Sequence, residues 1–234
     1  MTLNTFSIII PIYNESENIE DLIYEIFDSI ENYKIFEIMI INDGSTDNIT
    51  PLINKMSKNY QNITFIDRKI NKGQSYSIWE GISKSKYNTI VTIDGDGQNS
   101  PSDISKLLNE YFEDKDLSLI GGVRFKRKDT RIKIISSYVA NKVRSLILKD
   151  DCIDTGCSLK VFDKIIFLNF PFFNGIHRFL PALFKGYGYK SKFINVNHRS
   201  RVNGVSKYGT VDRLFRGIFD IFKVIRIIRK VNKK

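Results

Sequence analysis

Residues 88–98, NTIVTIDGDGQ, decide how the chain reads. Asn88–Ile93 is a short run of β-branched and apolar residues, the composition of a buried strand. It stops at Asp94-Gly95-Asp96, where small and acidic residues make a turn. The same unit recurs upstream. Phe6–Ile12 (FSIIIPI) reads as a strand, Phe36–Ile41 (FEIMII) as a second that ends in Asn42-Asp43-Gly44-Ser45, and Ile63–Ile66 as a third. Helical patterns lie between them. Asn14 and Glu17 have the spacing of a capping box before a helix with apolar Ile19, Leu22, Ile23, Ile26, Phe27 and Ile30. Asp47 is placed to cap a helix reaching Tyr60, and Gln74–Ser85 reads as another. Downstream, Pro101 suits the first position of a helix ending near Phe112, and Leu117–Gly121 reads as a fifth strand. This alternation predicts βαβ units and a mostly parallel sheet flanked by helices. In such sheets ligands sit beyond the C-terminal strand ends, where the turns at Asp43 and Asp94/Asp96 would share one crevice.

The chain has 234 residues, enough for one domain with a sizeable core. Two cysteines, Cys152 and Cys157, are too few for a disulfide framework and match no common zinc spacing, which fits a reducing, cytoplasmic compartment. The N-terminal stretch lacks a basic region, and Pro11 interrupts its apolar run, so it does not read as a signal peptide. The longest apolar run, Ile165–Phe173, contains Asn169 and Pro171 and is far short of the roughly 20 residues of a membrane span. Charge is divided. Residues 1–120 carry 10 Lys and Arg against 19 Asp and Glu, a net −9, while residues 121–234 carry 26 against 7, a net +19. The basic half calls for an anionic partner: a phosphorylated substrate, an acidic membrane or nucleic acid. No helix-turn-helix, zinc-finger or RNA-recognition signature is present, and nucleic acid would leave Asp94-Gly95-Asp96 unexplained, so nucleic acid is not expected.

In that half, residues 124–133 (RFKRKDTRIK) read as a loop with six basic residues against one acid, and 134–149 as a helix. Asp151–Phe162 holds a turn and a short strand, 163–169 and 176–187 short helices, Lys192–Asn197 a strand, and 198–209 (HRSRVNGVSKYG) a basic loop. From Thr210 the tail reads as a basic amphipathic helix. Leu214, Phe215, Ile218, Phe219, Ile221, Phe222 and Val224 are among its apolar residues, and Arg213, Arg216, Lys223, Arg226 and Lys230 among its charged ones. Such a helix suits an anionic membrane interface or a dock on the protein's own core. FLNFPFF (167–173) has the same two readings.

Asp94, Asp96 and the amide oxygen of Gln98 form an all-oxygen donor set suited to Mg²⁺ or Mn²⁺, against the plainer reading of a solvated acidic turn. Context favours chemistry. SIIIPIYNESENI, INDGSTD, NKGQSYSIWEGI and IDGDGQ occur in that order. Together they resemble the inverting family 2 glycosyltransferases, whose fold is the Rossmann-like, nucleotide-sugar-binding GT-A fold, over residues 6 to 210. Within that family, DGDGQ, IDTGCSLKVF and HRSRVNGVSKY are most similar to polyprenyl-phosphate sugar transferases of the dolichyl-phosphate mannose synthase kind. The resemblance implies a glycosyltransferase domain over 1–209, divided into a nucleotide-sugar half (1–122) and an acceptor half (123–209), with 210–234 as the helical tail. It implies a UDP- or GDP-linked sugar donor lined by Pro11, Tyr13, Glu15, Asp43, Lys72 and Gly73, and a metal and diphosphate held by Asp94, Asp96 and Gln98. It assigns acceptor phosphates to Arg124, Arg201, Ser206 and Lys207. Two positions depart from the pattern: Asn42-Asp43 replaces the commoner acidic pair, and Lys160 stands where Arg is usual.

Transfer to a sugar hydroxyl needs a general base, and Asp154 is the best-placed carboxylate for one, unless it only caps a turn. A phosphate acceptor is already an anion and needs cationic positioning instead, which the basic loops supply unless they are merely a solvated face. The expectation is therefore sugar transfer to polyprenyl phosphate for envelope glycans, at the inner face of the cell membrane, with transfer to a saccharide hydroxyl as the alternative. The abundance of Lys, Asn and Ile points to an AT-rich bacterial genome and so to undecaprenyl phosphate. His177 and His198 are weaker candidates for the acceptor side, Trp79 reads as core, the cysteines read as spectators, and a homo-oligomer is left open.

Overall fold

The computed structural model describes residues 4–125, 141–200 and 210–231. Seven strands form one sheet: β1 (Phe6–Ile12), β2 (Phe36–Asp43), β3 (Ile63–Arg68), β4 (Thr89–Thr92), β5 (Leu117–Phe125), β6 (Lys160–Asp163) and β7 (Lys190–Asn197). Their order is β3-β2-β1-β4-β6-β5-β7. All neighbours are parallel except β6, which runs antiparallel to both β4 and β5. The helices are α1 (Ile19–Ser29), α2 (Ile49–Asn59), α3 (Gln74–Lys84), α4 (Asp103–Glu113), α5 (141–148), α6 (Lys164–Leu168), α7 (Leu180–Gly186) and α8 (Thr210–Val231), with a 3₁₀ turn at Ile176–Arg178.

The unbroken apolar run of β1 has a direct cause. Ile8, Ile10 and Ile12 point to one face, where α1, α2 and α4 close a core with Ile23, Ile53 and Leu107, while Ile9 points to the other, packed with Ile78, Phe162 and Leu183. A strand covered on both faces has no polar side. The two cores make the sheet the middle of three layers, so its carboxyl ends are the open edge.

Several local expectations are corrected. Asn14 does not cap α1. It takes a positive φ of 54°, and its side-chain oxygen accepts from the Thr46 amide at 2.7 Å. Asp47 does not cap α2, because its Oδ2 accepts from the Ser16 amide at 2.8 Å. Each would-be cap binds the loop after the other strand, a partner about thirty residues away that local spacing cannot reveal. Pro101 lies in the turn before α4 rather than in it. Arg124 and Phe125 are the last residues of β5, not the start of a loop; residues 126–133 and 134–140 lie outside the described residues.

The tail forms its helix and docks on the protein. Val224 is fully buried, Ile221, Ile227 and Ile228 pack on the second core, and Asp220 accepts from Arg178 at 2.9 Å. Its other side exposes Phe219 (74%) and Phe222 (67%) together with Lys223, Arg226, Arg229 and Lys230. FLNFPFF is split in the same way: Phe167, Phe170 and Phe173 are buried, Leu168 and Phe172 exposed. Among the described residues no helix is long and apolar enough to cross a membrane. Both cysteines are buried thiols, pushed up to about 11 by that burial.

Candidate functional site

β4 delivers the acidic turn to the open edge. Gly95 is required there by packing: a Cβ would sit 2.6 Å from Ile12 Cγ2, so the turn presses directly on the end of β1. Closeness to β1, rather than room for a ligand, is what that glycine provides. Gly97 takes φ +70°, which lets the chain reverse, and the Gln98 amide donates to Asp96 Oδ1 at 3.1 Å.

The two acidic turns do share one crevice, because residues 72–74 bridge them. The Lys72 and Gly73 amides donate to Asp43 Oδ1 and Oδ2, each at 2.8 Å, while the Gln74 side-chain amide donates to Asp94 Oδ1 at 2.7 Å. Asp43 also pairs with Arg68 at 2.7 Å. Three of the expected nucleotide-site residues, Asp43, Lys72 and Gly73, are thus in direct contact. Asn42, the departure from the acidic pair, donates to Asp67 at 2.7 Å and accepts from the Ser45 amide at 2.9 Å, so it shapes the turn. Pro11 ends in β1 beside Ile41. Tyr13 is half-buried, and Glu15 is buried with its carboxylate accepting from the Asn18 side-chain amide at 2.9 Å. An open cleft lined by Asn14, Glu15, Thr46 and Asp47 adjoins them.

At the end of β5 the structure joins Arg124, expected to meet an acceptor phosphate, to Asp154, expected to serve as a base. Arg124 Nε donates to Asp154 Oδ2 at 2.8 Å and its Nη2 to Oδ1 at 2.7 Å, a fork reinforced by the Arg124 amide at 3.1 Å. Both side chains are largely buried. Gly156 leaves room for this, since a Cβ there would lie 2.9 Å from Arg124 Nη2. Lys160 is buried, its ammonium on the carbonyls of Thr155 and Cys157. Arg201, Ser206 and Lys207 lie outside the described residues. His177 Nδ1 meets Ser75 Oγ at 2.8 Å near the start of α3. His198 is buried and bridges Asn99, and its neighbour Arg199 binds Gln98 O, Ser100 Oγ and Glu25. Trp79 is half-buried against Tyr76 and Phe172 rather than deep in the core.

Burial, and after it the negative charge of Asp96, push the Asp94 carboxyl up to about 6; the Ser158 hydroxyl, Lys160 and Arg124 pull it back. Two like charges one residue apart in a turn could share a divalent cation. Among the described residues no set of three or more His, Cys, Asp or Glu side chains gathers as a metal cage. Asp94 and Asp96, with Gln98 two residues further on, are the oxygen-bearing side chains of this turn that could hold a divalent cation. Sequence reasoning missed Gln74, Asn99 and Ser158, all of which hold this turn. Gln74 and Ser158 both stood inside recognised motifs, NKGQSYSIWEGI and IDTGCSLKVF, but nothing in either motif pointed to contact with this turn.

Residues 7–169 match the sequence model of glycosyl transferase family 2. The chain belongs to glycosyl transferase family 2. Among its relatives, the dodecaprenyl-phosphate galacturonate synthase of Rhizobium johnstonii is 32% identical over 95% of this chain and 67% of its own length. The undecaprenyl-phosphate 4-deoxy-4-formamido-L-arabinose transferase of Salmonella typhimurium is 30% identical over 92% of this chain and 65% of its own. This family 2 chain thus spans about two thirds of the length of those relatives. In fold it is similar to glucosyl-3-phosphoglycerate synthase from Mycobacterium tuberculosis, solved with Mn²⁺, UDP and phosphoglyceric acid (TM-score 0.69, 16% identity, 94% of this chain and 77% of that one). It is likewise similar to mannosyl-3-phosphoglycerate synthase from Rubrobacter xylanophilus (TM-score 0.68, 14% identity, 98% of this chain and 75% of that one). The expected GT-A architecture is borne out.

One prediction follows from the crowded carboxylates. Because folding raises the Asp94 pKa from 3.8 to about 6, ionisation costs more in the folded state than in the unfolded one. That penalty is absent below 3.8, grows as pH rises through this window and is complete above it. In EDTA, Asp94→Asn should therefore be more stable than wild type at pH 7, by on the order of 1–3 kcal/mol, with the gain vanishing in acid. Urea unfolding at several pH values checks this, and a variant equally or less stable at every pH contradicts it.

Proposed function

We propose that this family 2 chain is a metal-dependent inverting glycosyltransferase that moves a sugar from a UDP- or GDP-linked donor to a polyprenyl phosphate, undecaprenyl phosphate in the first instance, for modification of cell-envelope glycans. The observation that carries the reading is the Arg124–Asp154 fork. The carboxylate best placed to serve as a base is bound through both oxygens to a guanidinium, which favours its charged form and makes it a poor proton acceptor. A hydroxyl acceptor would need that base, whereas a phosphate acceptor needs the cation. Two relatives named for dodecaprenyl- and undecaprenyl-phosphate transfer support the same choice.

Residues 1–122 would hold the donor. Pro11, Tyr13, Glu15, Lys72 and Gly73 line it, and Asp43, with three donors already on its carboxylate, keeps acceptor capacity for an N–H of the base. Asp94, Asp96 and Gln98 would hold Mg²⁺ or Mn²⁺, whose chemistry is to neutralise charge on the leaving diphosphate. Gln74 fixes the Asp94 carboxylate. Residues 123–209 would hold the acceptor, with Arg124 oriented by Asp154 and with Arg201, Ser206 and Lys207 completing the phosphate contacts. Positioning and charge stabilisation do the work, with no side chain required to remove a proton.

A lipid acceptor places the enzyme at the membrane surface, and α8 supplies a matching face. Its exposed Phe219 and Phe222 stand beside Lys223, Arg226, Arg229 and Lys230, the apolar-plus-cationic combination that binds an anionic interface. Lys223 also lies 5.5 Å from the ring of Phe173, next to exposed Phe172, so the second apolar segment is close at hand.

Incubation with undecaprenyl phosphate, Mn²⁺ or Mg²⁺ and a panel of UDP- and GDP-sugars should give a sugar-phospholipid detectable by mass spectrometry. Asp96→Ala should lower its formation about 100-fold or more. Metal-dependent sugar transfer only to an added saccharide would refute the acceptor assignment. In flotation with phosphatidylglycerol vesicles the protein should rise with the lipid, and Phe219→Ser with Phe222→Ser should leave it behind; equal flotation of both would remove α8 from the membrane contact.

A further inference from the structure

Ser158 lies on the segment that leads into β6, beside the end of β4. Its carbonyl accepts from the Thr92 hydroxyl at 2.6 Å, which pins the segment to β4. Its own hydroxyl takes two hydrogen bonds. Oγ accepts from the Asp94 amide at 3.0 Å and from the Asn99 side-chain amide at 2.8 Å, filling both lone pairs. The hydroxyl also draws the Asp94 carboxyl down. Asp94 and Asn99 are opposite ends of the acidic turn, so a single side chain, about sixty residues away in sequence, closes it.

The same segment grips the acceptor side. Four residues before Ser158, Asp154 holds Arg124 in the fork. Lys160 stiffens the stretch between them from within, through the carbonyls of Thr155 and Cys157. Residues 154–160 are therefore a tied spacer, with the acidic turn at one end and the Arg124 guanidinium at the other. An in-line displacement needs its two reacting groups at a fixed separation, and misplacement of one by about an ångström is costly.

We propose that Ser158 is a positioning residue. It fixes the acidic turn at the Asp94 backbone amide and the Asn99 side chain and, through segment 154–160, sets where that turn stands relative to Arg124. Without the hydroxyl the Asp94 backbone amide and the Asn99 side-chain amide each lose a partner, and the turn that carries the two like charges is no longer closed before a cation arrives. The inference rests on the reading of Asp94 and Asp96 as holders of a divalent metal.

The test is Mn²⁺ titration followed by EPR of the free ion, with the nucleoside diphosphate that wild type takes, on wild type, Ser158→Ala, Ser158→Thr and Asp96→Ala. Melting temperatures in EDTA are measured in parallel. Ser158→Ala should weaken Mn²⁺ binding roughly 10–100-fold, while Ser158→Thr, which keeps the hydroxyl, should stay within a few-fold of wild type. The melting temperature of Ser158→Ala should not predict its loss of affinity. Wild-type Mn²⁺ affinity in Ser158→Ala, with or without a lower melting temperature, overturns the proposal and leaves the metal reading intact. Wild type that binds no Mn²⁺ sinks the metal reading and this inference with it. If Ser158→Ala does not fold, Ser158→Cys decides in its place, because it keeps the volume but bonds weakly: weakened binding supports the proposal and unchanged binding overturns it.

Discussion

Asp94 and Asp96 carry like charges one glycine apart at the end of β4, and the surrounding site is arranged to keep them there. Left to itself an acidic turn of this kind would spread its carboxylates into solvent. Here it is pressed against β1 at Gly95 and tied on three further sides. Gln74 holds one carboxylate from the start of α3, Ser158 closes the turn from the segment before β6, and Arg199 caps its far end through the Gln98 carbonyl and the Ser100 hydroxyl. Each tie comes from a different part of the chain, so the turn records the whole fold. The raised pKa of Asp94 measures the electrostatic cost of this arrangement, a cost that a divalent cation would offset.

The antiparallel strand β6 is the architectural device behind it. A parallel sheet brings strand ends to one edge, but the loops that follow run outward into separate helices. By entering between β4 and β5 in the opposite direction, β6 brings the preceding segment back across that edge, between the acidic turn after β4 and the end of β5 that carries Arg124. Asp154 and Ser158 can then act on the two sides at once. In this account the acidic turn and Arg124 are held in register by the sheet's own topology.

What the sequence made legible was whatever depends on local periodicity or on composed motifs. The apolar run Phe6–Ile12 could be read as a buried strand, the acidic turns as strand ends, and four ordered motifs as the family. What it hid were partners far apart in sequence. Asn14 and Asp47 have the right spacing to cap helices, yet each spends its side chain on the opposite loop, because a tertiary partner outcompetes a local one once the strands are paired. Asp154 and Arg124, thirty residues apart, were given a base's role and a phosphate's role, and only the fold shows them as one unit. Ser158 stands inside the motif IDTGCSLKVF, but its contact with the acidic turn emerges only once β6 is placed next to β4.

The central claim is that the acceptor is an anion positioned by Arg124, with Asp154 orienting that arginine rather than taking a proton. Its most direct test is the pH dependence of kcat and kcat/KM for transfer to undecaprenyl phosphate by wild type and by Asp154→Asn. The account predicts pH profiles of one shape for both, set by ionisation of the acceptor phosphate, with the variant impaired chiefly in acceptor KM and its kcat within about tenfold of wild type. A kcat lower by about a thousandfold or more in Asp154→Asn, with the limb that rises toward alkaline pH lost, would make Asp154 the base and contradict the account.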